Sequence, residues 1–367
     1  MAVLGGLKFA STFLFGNSAI YLQPISINMK TTAFLSGLMA VLFTFSACTN
    51  DAKKKENSSS KEDNKVVTEV QSGDWDGKLV TEYAGDIRYY NFNTKEETVV
   101  FKEAWQVSAG PAGTIVSLSE KFPKRNSLLQ IADPEFNDAR TLLDLSEGWF
   151  GGYIYGNKTS PDGKHIAVTI TSYSGDYKIQ KDGVYVFDRS ANIVAQFENK
   201  YQADWTPDGR LVMTGSLLSE STDDKIKDGP EPGIFISDKN LSSLQRIDPG
   251  FNNPAPCNVA VSPDGERLAF IKNNHVWVMN IDGSNVQQLT APGGDNAESF
   301  PTWSPDGKYI ACWCYKTFEK SYYTSIAIVP SQSNSPIKLT NEAEVWPRDK
   351  EGNRVSGGSH QLIWLKR

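Results

Sequence analysis

The chain of 367 residues has only 4 cysteines and 3 histidines, no excess of basic charge, and no helical hydrophobic period beyond its first 50 residues. Each shortage removes a class of protein. His165, His275 and His360 stand far apart, without His-x-His or His-Glu-x-x-His spacing, so no metal centre is read from them. Asp223, Asp224 and Asp228 lack the order of a calcium loop and read as a solvated acidic stretch. No cofactor is expected. Lysine and arginine number 37 against 43 acids, and Lys8 and Lys30 are the only charges before Cys48, which leaves −8 on the remainder. Nucleic acid is therefore not an expected partner. Cys312 and Cys314 lie two apart in one strand pattern, roughly 6.5–7 Å between Cα atoms, near or beyond the reach of a disulfide. With Cys257 they read as buried thiols that pack as small apolar groups.

What the chain has instead is a repeat. A strand-like run breaks at a glycine turn six times: Asp76-Gly77, Pro111-Ala112-Gly113, Ser160-Pro161-Asp162-Gly163, Thr206-Pro207-Asp208-Gly209, Ser262-Pro263-Asp264-Gly265 and Ser304-Pro305-Asp306-Gly307. Proline presets φ for the first central position of a type I turn, aspartate tolerates the second, and glycine takes positive φ with little strain. Short apolar strands follow, such as Lys164–Val168 and Lys308–Cys312. Hairpins recur in phase: Ile87–Val100, Leu128–Leu143, Val184–Phe197, Ile234–Ile247, Val276–Leu289 and Ile326–Leu339. Each unit thus holds four strands, and such units repeated around an axis are propeller blades. The expected fold is all-β, a six-bladed β-propeller of four-stranded blades spanning residues 73–367. The first unit lacks an opening strand, and Gln361-Leu362-Ile363-Trp364 supplies an orphan whose Trp364 falls where Trp205 and Trp303 fall. The C-terminal strand is expected to pair with the N-terminal blade and close the ring, removing two open sheet edges.

Ahead of the repeats, Met29-Lys30 opens a short basic segment, Ala33–Phe45 is apolar, and Phe45-Ser46-Ala47-Cys48 follows. Small residues before a cysteine at the end of an apolar run read as a lipoprotein signal over residues 29–47, with lipid carried on Cys48. Residues 1–28 fit no such segment, and translation is expected to start at Met29. Residues 48–72, rich in Lys, Asn, Ser and Glu, form the expected flexible tether. Together these features imply a protein anchored to a membrane of the bacterial envelope.

The run Pro301-Thr302-Trp303-Ser304-Pro305-Asp306-Gly307-Lys308-Tyr309-Ile310-Ala311, with the hairpin Val276–Gly283 and Leu289-Thr290, resembles the WD-repeat-like propeller motif of the TolB family. The resemblance covers residues 74–367. It implies the propeller fold and, because this propeller type also occurs in oligogalacturonate lyases and as the gating domain of serine peptidases, several functions. No Gly-x-Ser-x-Gly elbow occurs and the sequence ends at Arg367, so peptidase chemistry is not expected.

From each glycine to the third strand of its unit the spacing is 10, 15, 21, 25, 11 and 19 residues, so length variation gathers on the side opposite the glycine turns. Variable loops on a rigid scaffold are where binding usually resides. The stretches Ser117–Ser127, Thr171–Gly183 and Cys314–Ser325 read as such loops, carrying Arg125, Tyr173, Tyr177, Tyr322 and Tyr323. Counting back from the glycine turns places Gln106, Gln202 and Asn258, with Gln361, and then Lys158 and Asp204, in a polar row at a channel mouth. Trp149, Tyr153, Glu298 and His360 are expected in the connections around it. The reading is a binder of an envelope protein or glycan, without catalysis. The alternative is an oligogalacturonate-type lyase or hydrolase, with His360 or Tyr322 abstracting a proton and Lys158 or Arg125 neutralising a carboxylate.

Overall fold

The computed structural model describes residues 75–366 apart from 84, 111–113, 122–123, 134–136, 145–151, 173–180, 219–225, 229–231, 252–254, 292–295, 319–320, 341–342 and 357–360. The expectations for residues 1–72, including the signal, Cys48 and the tether, lie outside these. The described residues are all-β and form a β-propeller; they contain no helix.

The glycine turns form as their chemistry dictates. In the turn Ser262–Gly265 the glycine N–H donates to the Ser262 carbonyl at 2.9 Å, the Ser262 hydroxyl donates to Asp264 at 2.5 Å, and Arg267 N–H donates back to that hydroxyl at 2.9 Å. The same set recurs around Ser160, Thr206 and Ser304. Gly163, Gly209, Gly265 and Gly307 all have φ between 71° and 87°. At Gly265 a side chain is excluded twice, because a Cβ would also come within 2.7 Å of Pro207.

Five sheets have four antiparallel strands. Repeat one joins Lys78–Tyr83, Asp86–Asn91 and Glu96–Lys102 to the C-terminal Ile363–Leu365, with Leu79 opposite Trp364. Repeat two is Ala104–Ala109, Ile115–Lys121, Lys124–Ala132 and Arg140–Asp144. Repeat three is Gly152–Thr159, His165–Ser172, Gly183–Asp188 and Ile193–Glu198. Repeat four is Tyr201–Trp205, Leu211–Thr214, Ile234–Ser237 and Leu244–Arg246. Repeat five is Cys257–Val261, Arg267–Lys272, His275–Asn280 and Gln287–Gln288.

The described residues form five four-stranded blades rather than the expected six, because repeat six departs from the pattern. Its sheet has three: Asn296–Trp303, Tyr309–Phe318 and Ser321–Pro330. The segment expected as its fourth strand, Ile337–Lys338, pairs in parallel with Thr290–Ala291 instead. The cause is competition for the edge, where Ile328 N–H donates to the Val345 carbonyl at 2.8 Å and Ile326 N–H to the Val355 carbonyl at 3.2 Å. Val345, Trp346 and Val355 are buried there. With its donors met, that edge has no ladder to offer Ile337.

Two expected loops are strands. Lys121 pairs with Lys124, and Phe318 with Ser321, so residues 117–121, 124–127, 314–318 and 321–325 lie in paired strands. Apolar clusters lie between consecutive sheets, for example Ile166, Val168 and Tyr185 against Leu129 and Leu143. Cys257, Cys312 and Cys314 are buried thiols, not joined by disulfides, in the cluster between repeats five and six. Burial, with Glu298 and Cys314 nearby, pushes the Cys312 thiol well up, which leaves it unreactive.

The turn carboxylates make an acid-stability prediction. The Thr206 hydroxyl, helped by Arg210, holds Asp208 down at about 2. Stability linked to it is full above the ordinary carboxylate range and is lost as pH falls through that lowered value. Urea midpoints should therefore drop between about pH 4 and pH 2, near and below the ordinary aspartate pKa. The Asp208→Asn variant, less stable at neutral pH, should lose less over that interval.

Candidate functional site

The first strand of repeats two to six contains a break in its ladder, between Trp105 and Val107, Ile154 and Gly156, Tyr201 and Asp204, Cys257 and Ala260, and Ser299 and Thr302. In four of these five strands a non-glycine residue at the break has positive φ: Gln106 at 55°, Gln202 at 49°, Asn258 at 51° and Phe300 at 48°. These are bulges, which re-aim a side chain and free backbone groups from the ladder.

The expected polar row is present, and it is spent on joining repeats. Gln202 Oε1 accepts the Asn258 N–H at 2.7 Å, while Gln202 N–H donates to Thr169 Oγ1 at 3.0 Å. Asp204 Oδ2 accepts the Val261 N–H at 2.9 Å, and Lys158 Nζ lies 3.6 Å from Asp204 Oδ1. The Lys158 carbonyl accepts the Trp205 indole N–H at 3.0 Å, as the Ala260 carbonyl accepts that of Trp303 at 3.1 Å. Gln106 donates to the Ile154 carbonyl, and Ser108 donates to Asn157 at 2.6 Å. Gln361 reaches across to repeat three, where a Cβ on Gly156 would sit 2.8 Å from its amide nitrogen. What remains among Lys158, Gln202, Asn258, Phe300 and Gln361 is a cavity of about 20 Å³, room for about one water. Asn258 Nδ2 and Gln361 Oε1 have no protein partner, and such atoms are usually met by water. A sugar ring or peptide does not fit.

Glu298 is not at an entrance. It is 2% exposed, the third residue of a strand, with His275 Nδ1 at 2.7 Å and the Thr290 hydroxyl donating at 2.8 Å. The Thr290 hydroxyl in turn accepts Val276 N–H at 2.9 Å, and Glu298 N–H donates to the Asn274 carbonyl at 2.8 Å. The carboxyl therefore fastens the start of repeat six to the tip of repeat five. Burial pushes its pKa up, opposed by His275. Sequence reading missed this pair because His275 and Glu298 are separated by 23 residues with no local pattern joining them.

Trp149, Tyr173, Tyr177 and His360 lie outside the described residues. Tyr153 sits in a strand opposite Thr171, and Tyr322 in a strand opposite Thr317 rather than in a loop. Lys158, Gln202, Asp204 and Asn258 are thus brought together, and Glu298 is set apart. Among the described residues no three His, Cys, Asp or Glu side chains converge as a metal site.

Comparison with known proteins bears on the same strands. The profile of the family described as Dipeptidyl peptidase IV (DPP IV) N-terminal region matches residues 212–315. The protein named Probable dipeptidyl-aminopeptidase B of Arthroderma gypseum is 23% identical over 230 residues, covering 55% of this chain. The chain spans 22% of that relative's length. Among solved structures, TolB from Acinetobacter baumannii matches 71% of this chain and 65% of its own at 17% identity and a TM-score of 0.49. Oligogalacturonate lyase from Vibrio parahaemolyticus matches 70% and 71% at 12% identity and a TM-score of 0.46. The chain resembles TolB-type propellers. Its own sheets, not these distant likenesses, carry the statement of fold.

Glu298 gives the second pH prediction, of opposite sign. A carboxyl whose folded pKa is raised stabilises fully below its unfolded value, and that contribution is lost as pH rises through the folded one. Stability of the wild type should therefore sag as pH rises above about 4, near the ordinary glutamate pKa, and through the raised folded value. Glu298→Gln, which keeps an acceptor for Thr290, should flatten that sag in urea midpoints measured across the interval.

Proposed function

We propose that this is a lipid-anchored protein of the bacterial envelope, a closed six-repeat propeller that binds a protein or glycan on the side of its variable connections and performs no chemistry. The observation carrying the binding role is the use of Lys158, Gln202, Asp204 and Asn258 as struts between repeats. A lyase base needs a cation and a carboxylate free to meet substrate; here the cation and carboxylate hold each other. Recognition then falls to the connections around the struts, whose lengths differ from repeat to repeat.

Closure is supported by two features. Ile363–Leu365 pairs with Lys78–Val80, and one apolar cluster unites Trp75, Leu79 and Phe92 of repeat one with Ala311, Trp313 and Ile326 of repeat six. The Trp364 indole donates to the Asp76 carbonyl at 2.8 Å. Deleting residues 361–367 should expose this cluster and unfold the propeller. A truncated chain with an unchanged melting transition would overturn the closure.

The anchor and the binding face are tested together in envelope extract. Wild-type protein should sediment with membranes and Cys48→Ser should not. Replacing Tyr173, Tyr177, Tyr322 and Tyr323 by alanine should lose the partner captured by the wild type; an unchanged set of captured molecules would sink the binding face. Release of unsaturated sugar from a uronate polymer, followed by absorbance, would replace this reading with that of a lyase.

A further inference from the structure

A cleft of about 670 Å³ opens on the side of the glycine turns, between the last hairpins of repeats five and six. Its existence follows from the departure of repeat six. The chain leaving Pro330 does not return along its own sheet but crosses to repeat five, where Ile337 N–H donates to the Leu289 carbonyl at 2.8 Å. The residues 331–334 therefore stand facing the turn of residues 280–287. Gln287 reaches across and donates to the Ser333 carbonyl, bracing the two walls.

The lining joins an apolar strip, Val278 and Met279, to a polar part of one chemical character. It contains no carboxylate, and its polar side chains are amides and hydroxyls apart from Arg267. That guanidinium is already engaged, 4.7 Å over the Trp303 ring and donating to the carbonyls of Gly307 at 3.1 Å and Ser331 at 3.3 Å. It shapes the wall rather than waiting for an anion. Asn285, Gln332 and Asn334 are exposed at the rim, and each amide can donate and accept at once. In the turn of residues 280–284 the backbone is already used, since Asn280 N–H donates to Ser284 O at 2.8 Å and Gly283 N–H to Asn280 O at 2.9 Å. A polypeptide would find no ladder along that turn, whereas the hydroxyls of a sugar, each donor and acceptor, match the amides. The volume lies within the range of ligand pockets, about 300–1,000 Å³.

We propose that this cleft binds an uncharged glycan chain, with Asn285, Gln287, Gln332 and Asn334 meeting its hydroxyls. The site is on the opposite side from the variable connections, so it stands or falls separately from the binding face proposed above.

The test titrates the full chain with short neutral oligomers of glucose and of N-acetylglucosamine, read by calorimetry. Binding with a Kd of about 1 mM or tighter is expected. The double variant Asn285→Ala with Asn334→Ala should weaken it about tenfold or more. Both amides are exposed, but Asn285 holds φ at 52°, where alanine is strained, so the double variant should lose a little thermal stability; Gln332→Ala, free of that strain, gives the same reading with a smaller loss of affinity. Failure of both sugar series to bind overturns the proposal, as does full affinity in the double variant. Preference for acidic galacturonate oligomers, abolished by the same substitutions, also overturns it, since charge would then be what the cleft reads.

Discussion

The left-handed residue in the first strand of four repeats is the constraint on which the centre of the molecule depends. Gln106, Gln202, Asn258 and Phe300 hold φ near 50° inside otherwise extended strands. A side chain in that region costs about 1–2 kcal/mol. It persists because the bulge frees groups that the neighbouring repeat uses: Gln202 gives its N–H to Thr169 and its side-chain oxygen to Asn258. A hydrogen bond of this kind contributes about 1 kcal/mol net, so two of them offset one strained residue. Beside these bulges, the cavity among Lys158, Gln202, Asn258 and Phe300 is about 20 Å³, room for about one water.

This explains where sequence reading succeeds and where it stops. The glycine turns were legible because proline, aspartate and glycine each act locally, within four residues. The hairpins were legible because alternation is local too. A bulge shifts that alternation by one residue, so counting back from the proline found Gln202, Asp204 and Asn258 but gave them a channel mouth to line rather than neighbours to hold. Glu298 follows a Pro-Gly-Gly run and so read as part of a connection; its partner His275 belongs to another repeat, and no spacing links the two. Lys121 to Lys124 and Phe318 to Ser321 read as loop because charged and aromatic side chains cluster there. Pairing of Lys121 with Lys124 and of Phe318 with Ser321 made those four residues strand.

The departure of repeat six has a similar origin in long-range competition. Residues 343–355 supply carbonyls to the edge of Ser321–Pro330 and apolar side chains to the cluster beneath it, with Arg354 stacked 4.2 Å over Trp346. They also reach repeat one, where the Tyr90 hydroxyl donates to the Arg348 carbonyl at 2.8 Å. An ordinary fourth strand would meet the edge but could not make that second attachment. The displaced Ile337–Lys338 then finds its ladder on Thr290–Ala291.

Recognition follows from the same bookkeeping of backbone groups. Within the glycine turns the polar groups are consumed locally, serine by aspartate and aspartate by backbone. A cleft of about 670 Å³ arises where the repeat fails, between the hairpins of repeats five and six, because there two turns that would each be solvated alone are brought face to face. Their amides cannot be spent on a regular ladder, and Arg267 is held away from anions by Trp303 and the Gly307 carbonyl. A surface of this kind discriminates by hydroxyl geometry rather than by charge, since a ligand without matched donors and acceptors would leave amides desolvated and unpaired, a penalty of about 1–3 kcal/mol for each.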